Sequence, residues 1–167
     1  MEADKVEGRC LCGAVAFRYD GTPNWTLHCH CESCRRATSS PMTTWISVPR
    51  TAFSFTKGSP RYFGSSPGVR RGFCENCGSP LTYESARIPA EVHLYAASLD
   101  NPRNVVPARH VFVAEQLPWF EVHDDLPRYA TTSRGGASPI RIGLKIILSE
   151  ASGGPRPRGG DGVRVRV

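Results

Sequence analysis

Residues 10–19 read Cys10-Leu-Cys12-Gly13-Ala-Val15-Ala16-Phe17-Arg18-Tyr19 and carry two signals in one short stretch. Two cysteines one residue apart are followed by glycine, and then Val15, Phe17 and Tyr19 alternate with Ala16 and Arg18. That alternation has the period of two of a half-buried β-strand. Outward from it, residues 43–48, 80–84, 91–98 and 109–115 form further short runs, most of them rich in β-branched and aromatic residues. Glycine and proline punctuate the chain at 58–60, 64–68 and 101–107. No stretch of about a dozen residues keeps a period of 3.6. The pattern predicts an all-β fold of short antiparallel strands.

The 167 residues suit one compact domain, and 40% apolar with 22% charged residues suits a globular chain. No apolar run reaches the ~18 residues of a spanning helix. The opening Met1-Glu-Ala-Asp-Lys-Val-Glu lacks the apolar core of a secretory signal, which predicts a cytoplasmic protein with reduced thiols.

The formal charge of +6 invites a nucleic-acid reading, so its location matters. Residues 134–167 hold seven basic side chains against Glu150 and Asp161, a net of +5. Residues 1–133 hold 14 basic and 13 acidic groups, a net of only +1. No electrostatic footprint for nucleic acid is indicated on the main domain. The last segment also has eight of the 16 glycines and neither aromatic residue nor cysteine. It cannot bury enough apolar surface to offset its ordering entropy. We expect a folded domain at 1–133 and a flexible, basic, Gly/Arg/Pro-rich tail at 134–167, with 140–148 apolar enough to dock.

All seven cysteines fall into clusters: Cys10-Leu-Cys12-Gly13, Cys29-His-Cys31-Glu-Ser-Cys34 and Cys74-Glu-Asn-Cys77-Gly78. An odd number in a reducing compartment fits a disulfide framework poorly. Thiols one or two residues apart are what a soft metal needs on a tight turn. Cys12 and Cys77 each precede a glycine, which can take positive φ and turn its N–H toward a coordinated sulfur. Two such knuckles make a closed four-cysteine site, with Cys10, Cys12, Cys74 and Cys77 holding a structural zinc that staples the fold.

The middle cluster has no glycine after Cys34; Arg35 and Arg36 follow instead. Three thiolates with an open fourth position is how catalytic zinc is held, and two arginines suit an anionic substrate. Alternatively His28 or His30 closes the site and the second zinc is also structural, although both histidines are cramped beside the cysteines.

Gly8-Arg-Cys-Leu-Cys-Gly-Ala-Val, His28-Cys-His-Cys-Glu-Ser-Cys-Arg, Gly72-Phe-Cys-Glu-Asn-Cys-Gly-Ser-Pro-Leu and Leu117-Pro-Trp-Phe together resemble the glutathione-dependent formaldehyde-activating enzyme family, which includes centromere protein V. The resemblance covers about residues 6–130 and implies a β-tent built around zinc. By position it makes Cys10, Cys12, Cys74 and Cys77 ligands of a structural zinc, and Cys29, Cys31 and Cys34 ligands of a catalytic one. It also implies a carbon–sulfur lyase-type activity that joins glutathione, or a similar small thiol, to formaldehyde as S-hydroxymethylglutathione.

Arg35 and Arg36 are the candidate contacts for the tripeptide carboxylates. His110 can shuttle a proton or serve as a buried structural histidine. Trp45, Phe53, Phe55 and Tyr62 can wall a pocket or simply fill the core; Trp119 and Phe120 have the position to cover its edge. Arg70 and Arg71 have the position to face the cleft. Against the enzyme stand a zinc-stabilised binding module and an anionic-polymer binder acting through the tail.

Overall fold

The computed structural model describes residues 5–133 and 137–140. The expectations for the basic tail and for its docking stretch therefore lie largely outside the described residues. At their edge, the Ile140 N–H donates to the Arg128 carbonyl at 2.7 Å.

Ten strands and one short helix follow in the order β1 (Lys5–Arg9), β2 (Ala16–Asp20), β3 (Trp25–Cys29), α1 (Glu32–Thr38), β4 (Thr43–Pro49), β5 (Phe53–Lys57), β6 (Arg61–Ser66), β7 (Val69–Phe73), β8 (Pro80–Ser85), β9 (Glu91–Tyr95) and β10 (His110–Val111). They form a three-stranded sheet, β1-β2-β5, and a seven-stranded sheet, β10-β3-β4-β9-β8-β7-β6. Every pairing is antiparallel except that of β10 with β3, which sets His110 beside His28 and Val111 beside Cys29.

The alternation at Val15, Phe17 and Tyr19 is a buried edge: all three enter one core with Ile46, Val48, Val92 and Leu94. That core lies between the small sheet and one face of the large one. Phe17 is fully buried against Phe53, ring centroids 5.8 Å apart. β4 sits centrally and is buried on both faces. Ile46 and Val48 face the first core, whereas Trp45 belongs to a second with Leu27, Cys29, Cys34, Tyr95 and Val111. A strand covered on both sides does not alternate between apolar and polar, and 43–48 buries even Thr43 and Ser47.

Two predicted strands are shorter than their apolar runs. Residues 91–98 end as a strand at Tyr95 and continue as a single 3-10 turn, Ala96–Ser98. Residues 109–115 yield only β10, because Phe112 takes a left-handed φ of 57° and starts another 3-10 turn at Val113–Glu115. Helix α1 is too short for a 3.6 period to register. It forms because Cys31 caps it, its Sγ accepting from the Cys34 N–H at 3.4 Å. It stops at Ser39, whose φ of 50° is left-handed and whose N–H closes on the Arg35 carbonyl. Among the described residues no helix is long and apolar enough to cross a membrane.

Candidate metal centres

The first and third cysteine clusters meet. Cys10 and Cys12 lie in the turn between β1 and β2; Cys74 and Cys77 lie in the turn between β7 and β8. Their four sulfurs fall within 4.8 Å of one another, with Cys10 Sγ 3.6 Å from Cys12 Sγ and Cys12 Sγ 3.7 Å from Cys74 Sγ. Four thiols at this spacing are a soft, tetrahedral donor set, and the group can hold a metal ion.

The glycines act as expected in conformation but not in hydrogen bonding. Gly13 and Gly78 have φ of 70° and 73°. Their N–H groups close each turn onto the Cys10 and Cys74 carbonyls, at 3.0 and 2.8 Å, instead of pointing at sulfur. Sulfur receives its hydrogen bonds elsewhere. The Val15 N–H donates to Cys10 Sγ at 3.3 Å, and the Ser79 hydroxyl lies 3.2 Å from Cys77 Sγ. The Ser79 hydroxyl, followed by backbone N–H groups, holds the Cys77 thiol down at about 5.

Cys29, Cys31 and Cys34 form the second thiol group, at the end of β3 and the start of α1. Cys29 Sγ lies 3.7 Å from Cys34 Sγ. Hydrogen bonds from Cys29 and then Cys34 pull the Cys31 thiol far down; the same partnership, with Cys31 first, pushes Cys29 up. Three thiols converging this closely are an arrangement suited to a soft cation.

Among the described residues, this second group contains cysteines alone. The histidines beside them are engaged elsewhere. His30 and His110 are fully buried, with His30 Nε2 2.9 Å from His110 Nδ1. His110 Nε2 in turn lies 2.9 Å from Asp124 Oδ2. Partial burial pushes the Asp124 carboxyl up, but the hydrogen bond and charge of His110, the Leu126 N–H and Arg128 together outweigh it and hold Asp124 below the usual carboxylate range. An ionised carboxylate only accepts, so His110 carries its proton on Nε2 and receives one from His30 at Nδ1. Burial, followed by the neighbouring His110, depresses His30 to about 4, consistent with a neutral ring. His28 Nδ1 pairs with the Thr44 hydroxyl at 2.9 Å. His28, His110 and Asp124 also have ligand atoms within 4.8 Å, although Asp124 already accepts from His110 and from Arg128 Nη2 at 2.9 Å.

A cavity of about 920 Å³ opens beside Cys29, Cys31 and Cys34. Arg36 reaches its lining but pairs with Glu32 at 2.7 Å, while Arg35 turns its Nε to the His30 carbonyl at 3.0 Å and does not line it. Arg71 lines the cavity; Arg70, one residue earlier on β7, points instead to Glu84 at 2.8 Å. Strand alternation separates them, a signal present in the sequence but usable only once β7 is placed. Trp45 lines the cavity, Phe53 and Phe55 pack against the other core, and the Tyr62 ring lies 4.3 Å under Arg70. Trp119 is 71% exposed and, like Phe120, is not part of the lining. Sequence reasoning passed over Tyr83, His93, Tyr95 and Arg109, all of which line the cavity, and Asp124 behind it.

Residues 5–115 match the family described as "Glutathione-dependent formaldehyde-activating enzyme". The chain is 34% identical over 79 residues to an uncharacterized lyase of Schizosaccharomyces pombe, covering 47% of this chain and 57% of that protein. The chain thus spans little more than half the length of that relative. It is 28% identical over 128 residues to a putative glutathione-dependent formaldehyde-activating enzyme of Halomonas elongata, covering 70% of this chain and 80% of the relative. A crystal structure of a Rhodobacter sphaeroides protein aligns with a TM-score of 0.49 at 22% identity, over 60% of this chain and 97% of that one.

Proposed function

The chain belongs to the glutathione-dependent formaldehyde-activating enzyme family, and from that membership we propose that it is a zinc-dependent enzyme of the carbon–sulfur lyase type. It adds a small thiol to a small aldehyde, as in the formation of S-hydroxymethylglutathione. The observation that carries the reading is the contrast between a four-cysteine group closed on itself and a three-cysteine group beside a cavity. We assign Cys10, Cys12, Cys74 and Cys77 to a structural zinc, and Cys29, Cys31 and Cys34 to a catalytic one. The thiol-only donor sets suit zinc, and three ligands leave room for a substrate sulfur.

A zinc ion held by Cys29, Cys31 and Cys34 would supply the charge that makes a neighbouring thiol ionise at neutral pH. The protein's own residues orient and enclose the reactants. Cys31 sits at the helix cap with its sulfur fixed by the Cys34 N–H. The chain Asp124–His110–His30 ties the backbone between Cys29 and Cys31 to β10. Arg71 brings a permanent positive charge close to Cys34 and Cys31. In the addition, the thiol sulfur bonds to the carbonyl carbon and the thiol proton ends on the carbonyl oxygen, so nothing is oxidised or reduced. Holding both partners in reacting geometry is the main gain the cavity offers. We place the protein in the cytoplasm, whose reducing conditions leave such thiols free to bind metal.

The test is exchange of formaldehyde with glutathione, followed by NMR with the zinc-loaded protein and with Cys31→Ser as control. The expected result is a rate above the uncatalysed background that disappears in the variant. No acceleration with glutathione would move the reading to another small thiol, and no acceleration with any small thiol would replace the enzyme with a zinc-stabilised binding module.

A further inference from the structure

Away from the three thiols, every charged side chain described on the cavity walls is an arginine. Arg36, Arg71, Arg87 and Arg109 line the cavity, and among the described residues no aspartate or glutamate does. Arg36 is paired with Glu32. The other three have no carboxylate partner among the described residues. Arg109 is half-buried, and among the described residues its Nε has no hydrogen-bond partner. Arg71 is half-buried, 5.0 Å from the centre of the Tyr83 ring, and donates to the Tyr95 hydroxyl at 3.2 Å.

The lining also carries a group of aromatic rings. Trp25, Trp45, Tyr83 and Tyr95 face the cavity, with Trp45 and Tyr95 ring centroids 4.2 Å apart. Phe63, on edge strand β6, also lines it and remains 62% exposed. A one-carbon aldehyde fills little of such a space. Glutathione offers carboxylates to the arginines but brings an ammonium that meets no carboxylate among the described lining residues, and no flat group for the rings. Buried polar or charged groups left unpaired are costly, so these walls discriminate against it.

We infer that the cavity beside Cys29, Cys31 and Cys34 takes a substrate that joins an anionic group to a flat apolar group: an aromatic, carboxylate-bearing thiol or the adduct it forms with an aldehyde. Arg71 and Arg109 hold the anion, and Tyr83 with Trp45 and Trp25 holds the ring. The inference rests on the proposed function in placing the reacting sulfur at the three cysteines.

The experiment is calorimetric titration of the full-length, zinc-loaded protein with four alkyl thiols. Para-(mercaptomethyl)benzoate has both features, benzyl mercaptan only the ring, mercaptopropionate only the anion, and glutathione carries an ammonium besides its carboxylates. The first is expected to bind at least about tenfold more tightly than each of the others. Arg109→Gln should remove about tenfold for the benzoate and leave benzyl mercaptan unchanged; Tyr83→Leu should weaken both ring-bearing thiols and spare mercaptopropionate. Glutathione or mercaptopropionate binding as tightly as the benzoate would overturn the inference, as would an Arg109→Gln effect equal on charged and uncharged thiols. Because binding is read without turnover, the two readings fail separately. The preference without any thiol–aldehyde acceleration would support this inference and sink the enzyme, and acceleration with glutathione without the preference would do the reverse.

Discussion

Cys10, Cys12, Cys74 and Cys77 come from two turns in two different sheets, whereas Cys29, Cys31 and Cys34 come from one strand end and the helix that follows. The first group joins two distant parts of the chain, which are also linked there by the Leu11 N–H donating to the Ser79 hydroxyl at 3.1 Å. The second is local, so its backbone is already placed by β3, α1 and the pairing of β10. Similar thiol chemistry therefore has different consequences. In the proposed assignment, the set that bridges two sheets acts on the fold and the one confined to a single corner beside a cavity acts on a substrate.

The largest expected effect tests that division directly. Removing one of four bridging ligands forfeits much of a binding energy on the order of 10 kcal/mol. Cys74→Ser is expected to lose its cooperative thermal transition, while Cys31→Ser keeps one within about 2 kcal/mol of the parent. Equal losses in the two melting curves would erase the distinction.

Asp124→Asn reaches only the second group. It keeps an acceptor oxygen but drops the charge that fixes the protons on His110 and His30. Metal affinity at the three cysteines should fall by roughly tenfold, the low end for residues that support a site at one remove. Competition with a chromophoric chelator would show it, and an equal weakening of the four-cysteine group would contradict the separation.

A third effect belongs to neither cluster. Glu84 is 6% exposed and accepts from Arg50 at 2.6 Å and Arg70 at 2.8 Å. Burial raises its pKa, but the two arginines more than offset this and leave it below the ordinary carboxylate value. Its folded pKa being depressed, the stabilisation is present above the unfolded pKa and lost as pH falls through the folded one. Glu84→Gln should cost roughly 1–3 kcal/mol at neutral pH, with the gap to the parent closing in acid denaturation series. A gap that widens on acidification would show the sign to be wrong.

The cysteine groups were legible because each ligand pair is adjacent in sequence, and the paired glycines announced which knuckles belong together. The all-β class was legible from Phe17 and Tyr19, which alternate. β6 was not, because all six of its residues are exposed and no burial pattern is written into them. β10 was overread, since Phe112 turns left-handed in the middle of an apolar run. The cavity was the least legible part. Arg71, Tyr83, Arg109 and Tyr95 come from four separate segments, and only strand pairing brings them to one face. Arg35 and Arg36 looked better placed because they follow the cluster, yet Arg35 turns to a backbone carbonyl and Arg36 to a glutamate.

The bridge between the sheets also sets a clock on how the chain is made. Cys12 and Cys74 are 62 residues apart, and at ~5–20 residues per second the second knuckle follows the first by several seconds. During that interval Cys10 and Cys12 are two ligands of an incomplete set, exposed to oxidation or to the wrong metal. Closing a loop of that length costs roughly 4 kcal/mol in chain entropy, which a metal ion bound by all four thiols more than offsets. Metal supply during synthesis, rather than the strength of any single strand pairing, would then decide how much of the newly made chain reaches its folded form.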